Sequence, residues 1–123
     1  MKERPKNLNL FNMRIPITAV ISIMHRVSGI LLFFLIPFIL YILRESLISE
    51  VNFIIIKSYF SIFLVKIFLM FFLSLLIYHV FAGWRHILMD YGFYECKNGG
   101  IYTSKIVLFL FVFFFFITGV FIW

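Results

Sequence analysis

One cysteine in 123 residues, Cys96, excludes an intramolecular disulfide and leaves no cysteine cluster for an iron–sulfur or zinc centre. Any metal must therefore be held by histidine, of which there are three. Acidic residues are also scarce, five Asp and Glu against eleven Lys and Arg, and charged residues reach only 13% while 64% are hydrophobic. With a mean hydropathy of +1.12 the chain lies outside the range of soluble domains and belongs in a membrane. The basic start, Lys2, Arg4, Lys6 and Arg14, is followed by no short apolar core with a small-residue cleavage site, so a retained segment is expected rather than a cleaved signal. Internal repeats, a second domain and a large extramembrane region are missing as well.

Three stretches without Asp, Glu, Lys or Arg remain: Val27 to Leu43, Ile67 to Trp84 and Ile106 to Trp123. At about 1.5 Å per residue each spans roughly 26 Å, close to the hydrocarbon thickness of a bilayer. The expected fold is an all-α integral membrane protein with three transmembrane helices, over residues 21–44, 58–90 and 104–123, in a single domain. Residues 1–20 form a cytoplasmic surface segment, with Pro5 and Pro16 restricting helix there. The nineteen phenylalanines, including the run Phe113 to Phe116, suit a lipid-facing surface.

Basic residues set the orientation. The N-terminal segment with Arg26, together with the second loop and its flanks, holds eight Lys and Arg; the first loop and its flanks hold Arg44, Lys57 and Lys66. The positive-inside rule then puts the N-terminus and second loop in the cytoplasm, and Trp123 at the far interface. This topology accounts for the formal charge of +6 without nucleic acid.

The same topology brings two polar motifs into one leaflet: Ser22-Ile-Met-His25-Arg26 at the mouth of the first helix, and His79-x-x-x-Gly83-x-Arg85-His86-x-x-x-Asp90 at the end of the second. Ionisable side chains are costly in a bilayer, so such a cluster points to a bound ligand. His79 lies six residues, roughly 9 Å, inside Arg85, a depth at which neutral imidazole can ligate haem iron. A buried structural histidine is the alternative. Arg26, Arg85, His25 and His86 provide a cationic rim for haem propionates, and Gly83 leaves a notch beside His79. Two axial ligands are needed for a six-coordinate haem, so the second is expected from another subunit, with His25 and His86, closer to the headgroups, as internal rivals. Ser22 and Arg26 supply a hydroxyl and a guanidinium for the carbonyl oxygens of a quinone, although Ser22 also suits a helix cap.

Arg4-Pro5, Ser22-x-x-His25-Arg26-x-Ser28-Gly29 and His79-x-x-x-Gly83-x-Arg85-His86-x-x-x-Asp90-x-Gly92 together resemble the cytochrome b membrane-anchor subunits of succinate dehydrogenase, succinate:quinone oxidoreductase or complex II. The resemblance implies an electron-transfer subunit, inactive alone, in the respiratory chain and tricarboxylic acid cycle. Its implied partners are a second small membrane anchor, an iron–sulfur subunit, a flavoprotein subunit and membrane lipid. It implies one haem b shared with that second anchor, with His79 as axial ligand, and ubiquinone as substrate at Ser22 and Arg26. His25, Arg26 and His86 fall where the family meets haem propionates. Asp90 matches an acidic position near the cytoplasmic mouth, where proton delivery, a cap or a salt bridge with Arg85 are the alternatives. The implied location is the bacterial cytoplasmic (inner) membrane, or the mitochondrial inner membrane if organellar. Trp84 and Lys6 depart from the family pattern without touching a proposed ligand. Rival readings are the anchor of a fumarate reductase, a haem-free structural anchor and a small channel; the last predicts polar residues along a helix, whereas here they cluster at one end.

Overall fold

The computed structural model describes residues 15–123, so the first fourteen residues of the expected surface segment lie outside the described part. Four helices follow: α1 (Ile17–Ile48), α2 (Glu50–Tyr59), α3 (Phe63–Asp90) and α4 (Lys97–Ile122). The described residues contain no strand. By length and composition α1, α3 and α4 can each cross a membrane.

Helix ends are set by local chemistry. Pro16 is extended and precedes the first turn of α1, where its carbonyl accepts from the amides of Ala19 and Val20 at 2.9 and 3.2 Å. Residues 17–20, expected on the surface, thus already belong to a helix. Ser49, extended at φ −154°, separates α1 from α2 and caps α2 by accepting from the Asn52 amide at 3.1 Å. Glu50 in the first turn of α2 and Lys57 in its last complement the helix dipole.

The helix expected over 58–90 begins later, at Phe63. Ser58 and Ser61 each turn a hydroxyl back onto a carbonyl three residues earlier, both at 2.6 Å. The amides of Phe60, Ser61 and Ile62 also bond three residues back, tightening the chain into a turn between α2 and α3. Conversely, α4 begins before residue 104. Gly99 and Gly100, expected in the loop, form its first turn, and Cys96 caps it by accepting from the Gly99 amide at 3.4 Å. A Cβ on Gly99 would stand 2.9 Å from the Tyr94 carbonyl oxygen, so only glycine lets the helix start this close to the loop. The α3 end is a Schellman closure in which Phe93 N–H bonds the Leu88 carbonyl, Gly92 N–H bonds that of Met89, and Gly92 takes φ +83°.

Contacts pair α1 with α3, and α3 with α4, in antiparallel order, placing α3 in the middle. One end of the bundle therefore gathers the start of α1, the end of α3 and the start of α4. The core is small: Ile21, Tyr78, Ala82 and Val107, flanked by Phe81, Leu108 and Phe111. Tyr78 donates its hydroxyl proton to the Ile21 carbonyl at 3.0 Å and meets Phe111 edge to face. Outward, Phe113 and Phe116 are exposed, as are Phe33 and Phe34, a surface for lipid rather than water. Lys66 lies 5.8 Å above the Trp123 ring at the opposite end from the histidines, tying the start of α3 to the end of α4.

Candidate functional site

His79 and His25 each meet the other helix where that helix carries a glycine. A Cβ on Gly29 of α1 would lie 3.0 Å from His79 Cε1, and one on Gly83 of α3 would lie 3.3 Å from His25 Nε2. The absent side chains let the helices approach until the His25 and His79 rings stack, with centroids 4.2 Å apart and planes inclined by 17°. His86 extends the row, its ring 5.1 Å from that of His25. The notch expected at Gly83 beside His79 is therefore at Gly29; Gly83 accommodates His25. The spacing within one helix could not reveal this exchange, because it depends on how α1 and α3 are registered.

The protonation pattern of His79 follows from its neighbours. Ser28, buried one residue before Gly29, donates its only hydroxyl proton to the His25 carbonyl at 2.8 Å. His79 Nδ1 lies 3.0 Å from that same Ser28 oxygen and 3.3 Å from the same carbonyl. The carbonyl can only accept, so a neutral ring bonded to it would carry its proton on Nδ1 and keep the lone pair on Nε2. Nε2 has no hydrogen-bond partner among the described residues, and no buried side-chain nitrogen or oxygen there is left without one, so Nε2 is not sealed inside the bundle. A histidine fixed at Nδ1 with a bare Nε2 is the arrangement found in imidazole metal ligands.

Arg85 has a different place from the rim expected of it. It is buried, with its Nε donating to Thr103 Oγ1 at 3.2 Å and an Nη to the Gly100 carbonyl at 3.3 Å. The guanidinium ties α3 to α4. It forms no ion pair with Asp90, because the residues it reaches are across the bundle; the one ion pair among the described residues is Arg44 with Glu45, at 3.3 Å. Ser22 is half-buried in the second turn of α1, five residues past its start, so it is not a helix cap. Arg26 is exposed one turn further on, and neither side chain makes a hydrogen bond within the described residues. Both remain available to a ligand.

A family model described as "Succinate dehydrogenase/Fumarate reductase transmembrane subunit" matches residues 1–119. The chain belongs to this family. It is 34% identical to the "Succinate dehydrogenase cytochrome b556 subunit" of Coxiella burnetii (strain RSA 493 / Nine Mile phase I), across 98% of each chain. It is 37% identical to the "Succinate dehydrogenase cytochrome b560 subunit" of Chondrus crispus, across 78% of this chain and 76% of that protein. The protein is accordingly a membrane subunit of the succinate dehydrogenase complex, a multi-pass membrane protein of respiratory complex II.

In this succinate dehydrogenase membrane subunit the tertiary structure brings His25, His79 and His86 together, with Ser22 and Arg26 on the adjoining turns of α1. Sequence reasoning missed the work of Ser28, which sits inside the first motif but had no partner until α3 was placed beside it. Thr103 and Gly100 were also missed as partners of Arg85. The signal that could have found them is a run of small residues, Gly99, Gly100, Thr103 and Ser104, with the i, i+4 spacing of a close helix contact.

Proposed function

We propose that this subunit holds one haem b jointly with a second small membrane anchor and delivers electrons from an iron–sulfur subunit to ubiquinone. His79 would be the iron ligand contributed by this chain. The observation that carries the reading is the placement of His79 Nδ1 against Ser28 Oγ and the His25 carbonyl, which leaves Nε2 without a partner and free to bind iron. No group of three or more His, Cys, Asp or Glu suited to a metal ion occurs among the described residues, so ligation through one histidine here and one from the other anchor fits the donor set. When bound, the haem supplies one-electron redox chemistry.

His25, Arg26 and His86 would hold the propionates. Arg85 supports this group from behind by fixing α3 against α4. Ser22 and Arg26 bind the quinone carbonyl oxygens, the hydroxyl as donor and the guanidinium as a charged donor. A charge-assisted bond of this kind favours the more anionic, reduced head group by about 1.5–3 kcal/mol. The N-terminus and the loop between α3 and α4 face the cytoplasm, as the distribution of basic residues requires, so the iron–sulfur and flavoprotein subunits dock on that side.

The test is a reduced-minus-oxidised optical spectrum of the whole purified complex, wild type beside His79→Leu. A b-type band that disappears or turns high-spin in the variant is the expected result. An unchanged band would move the ligand to His25, His86 or a partner subunit, and no band in either sample would make this a haem-free anchor.

A further inference from the structure

A proline breaks the hydrogen bonding of α1 inside its membrane span. Pro37 lies within the helix and has no amide hydrogen, so the carbonyl of Phe33, four residues back, is left without its intrahelical donor. Phe33 sits near the middle of the uncharged stretch Val27 to Leu43, where no bulk water reaches to replace that donor. Spans that contain proline ordinarily satisfy such a carbonyl with a hydroxyl from a neighbouring turn or helix. Here the hydroxyls that α1 and α3 carry at this depth are already committed: Ser28 donates to the His25 carbonyl, Ser74 to that of Phe71 and Tyr78 to that of Ile21. The side chains around the gap, Phe34, Ile36 and Phe38, have nothing to donate.

The gap falls on the flank of α1 that carries the histidine site. His25, Gly29, Phe33 and Pro37 follow one another at intervals of four and form one stripe along the helix. The stripe starts where His25 and Gly29 meet His79, beside the buried Ser28 and Leu32. Further from the histidines it is uncovered, with Phe33 73% exposed and Pro37 exposed as well. Lipid tails carry no hydrogen-bond donor, so lipid alone would leave the Phe33 carbonyl unmet. A second transmembrane helix with a hydroxyl or amide side chain would meet it, and a helix that brings another iron ligand to the histidine end has this stripe in its path. We infer that the Phe33 carbonyl, opened by Pro37, accepts a hydrogen bond from a hydroxyl- or amide-bearing side chain on a transmembrane helix of the second membrane anchor, packed along the stripe of His25, Gly29, Phe33 and Pro37. This inference rests on the haem being shared with that anchor, and adds where the two subunits are joined in the middle of the membrane.

Photoreactive p-benzoylphenylalanine is placed at position 33 and the whole complex is irradiated in its membrane, beside a complex with the same substitution at Phe116, which is 66% exposed on α4. The expected result is a crosslink from position 33 to the second anchor, identified by mass spectrometry, and lipid adducts alone from position 116. The crosslinked peptide locates the facing donor. Its replacement by an apolar residue of similar size should release the anchor at a lower detergent concentration when α1 carries Pro37, and make no difference in Pro37→Ala, where the restored amide already satisfies Phe33. Lipid adducts alone at position 33, in a complex that contains the second anchor and shows the b-type band, would overturn this interface and leave the shared haem standing. A complex with no second membrane anchor would overturn both. An equal effect of donor replacement with and without Pro37 would overturn the hydrogen bond.

Discussion

Ser28 Oγ stands 3.0 Å from His79 Nδ1 while giving its own proton to the His25 carbonyl, so a residue on α1 engages one ring nitrogen of a histidine on α3 and the other has no partner. Ser28→Ala removes one of the two acceptors for Nδ1 and leaves the carbonyl at 3.3 Å as the other. Loss of such a supporting contact typically weakens metal binding by roughly 10- to 100-fold. With one acceptor surviving, the expectation is the lower end, measured as haem retained per complex during purification together with the reduced-minus-oxidised band. An unaltered haem content and spectrum would separate Ser28 from the ligand's function.

The reciprocal glycines give an ordering. Gly29→Ala places a methyl 3.0 Å from His79 Cε1, at the tight limit of real side-chain contacts, and the ring must shift by a few tenths of an ångström. Gly83→Ala places one 3.3 Å from His25 Nε2, a looser contact on a half-buried ring. Haem incorporation should therefore fall much further in Gly29→Ala than in Gly83→Ala. The reverse order, read from the same optical spectra, would contradict the registration of α1 against α3.

Arg85 is a buried cation whose partners are neutral oxygens of α4. Thr103→Val leaves its Nε–H without an acceptor, at a cost of about 1–3 kcal/mol. Ser104→Ala, equally buried, removes a hydroxyl that bonds only the carbonyl of Gly100 in its own helix. That carbonyl keeps Arg85 and Thr103 as donors, so this change should cost less than about 1 kcal/mol. Thermal inactivation of the detergent-solubilised complex should show a clear drop for the first variant and a slight one for the second.

Arg26 is the exposed cation of the cluster, and its proposed partner is the quinone. Arg26→Leu should lower quinone reduction by roughly ten- to a hundredfold, the equivalent of one charge-assisted bond, while succinate oxidation by an artificial soluble acceptor stays intact. Equal loss of both activities would place the defect in assembly of the complex and sink the assigned role.

Composition and periodic absence of charge were sufficient for the class of this protein, because a bilayer imposes one requirement, about twenty apolar residues per span, that a linear sequence displays directly. The polar motifs were legible for the same reason: ionisable residues within an apolar chain are expensive and stand out. Helix limits were less legible. Gly99 and Gly100 have the composition of a loop yet begin α4, and Ser58 and Ser61 interrupt an apolar run that would otherwise continue one helix. In both places competition between side-chain and backbone hydrogen bonds, or close approach of a neighbouring segment, overrides hydrophobic pattern.

The sequence by itself determined that the two histidine motifs, with Ser22, Arg26 and Arg85, lie at the same end of three apolar spans. Only the tertiary structure decided which of the charged groups face a ligand and which hold helices together, since that depends on the register between α1, α3 and α4. Arg85 and Arg26 are the same residue type in adjacent motifs; one is buried against Thr103 and the other left exposed. The partners of His79 Nδ1 were decided in the same way, one of them a serine fifty-one positions earlier in the chain.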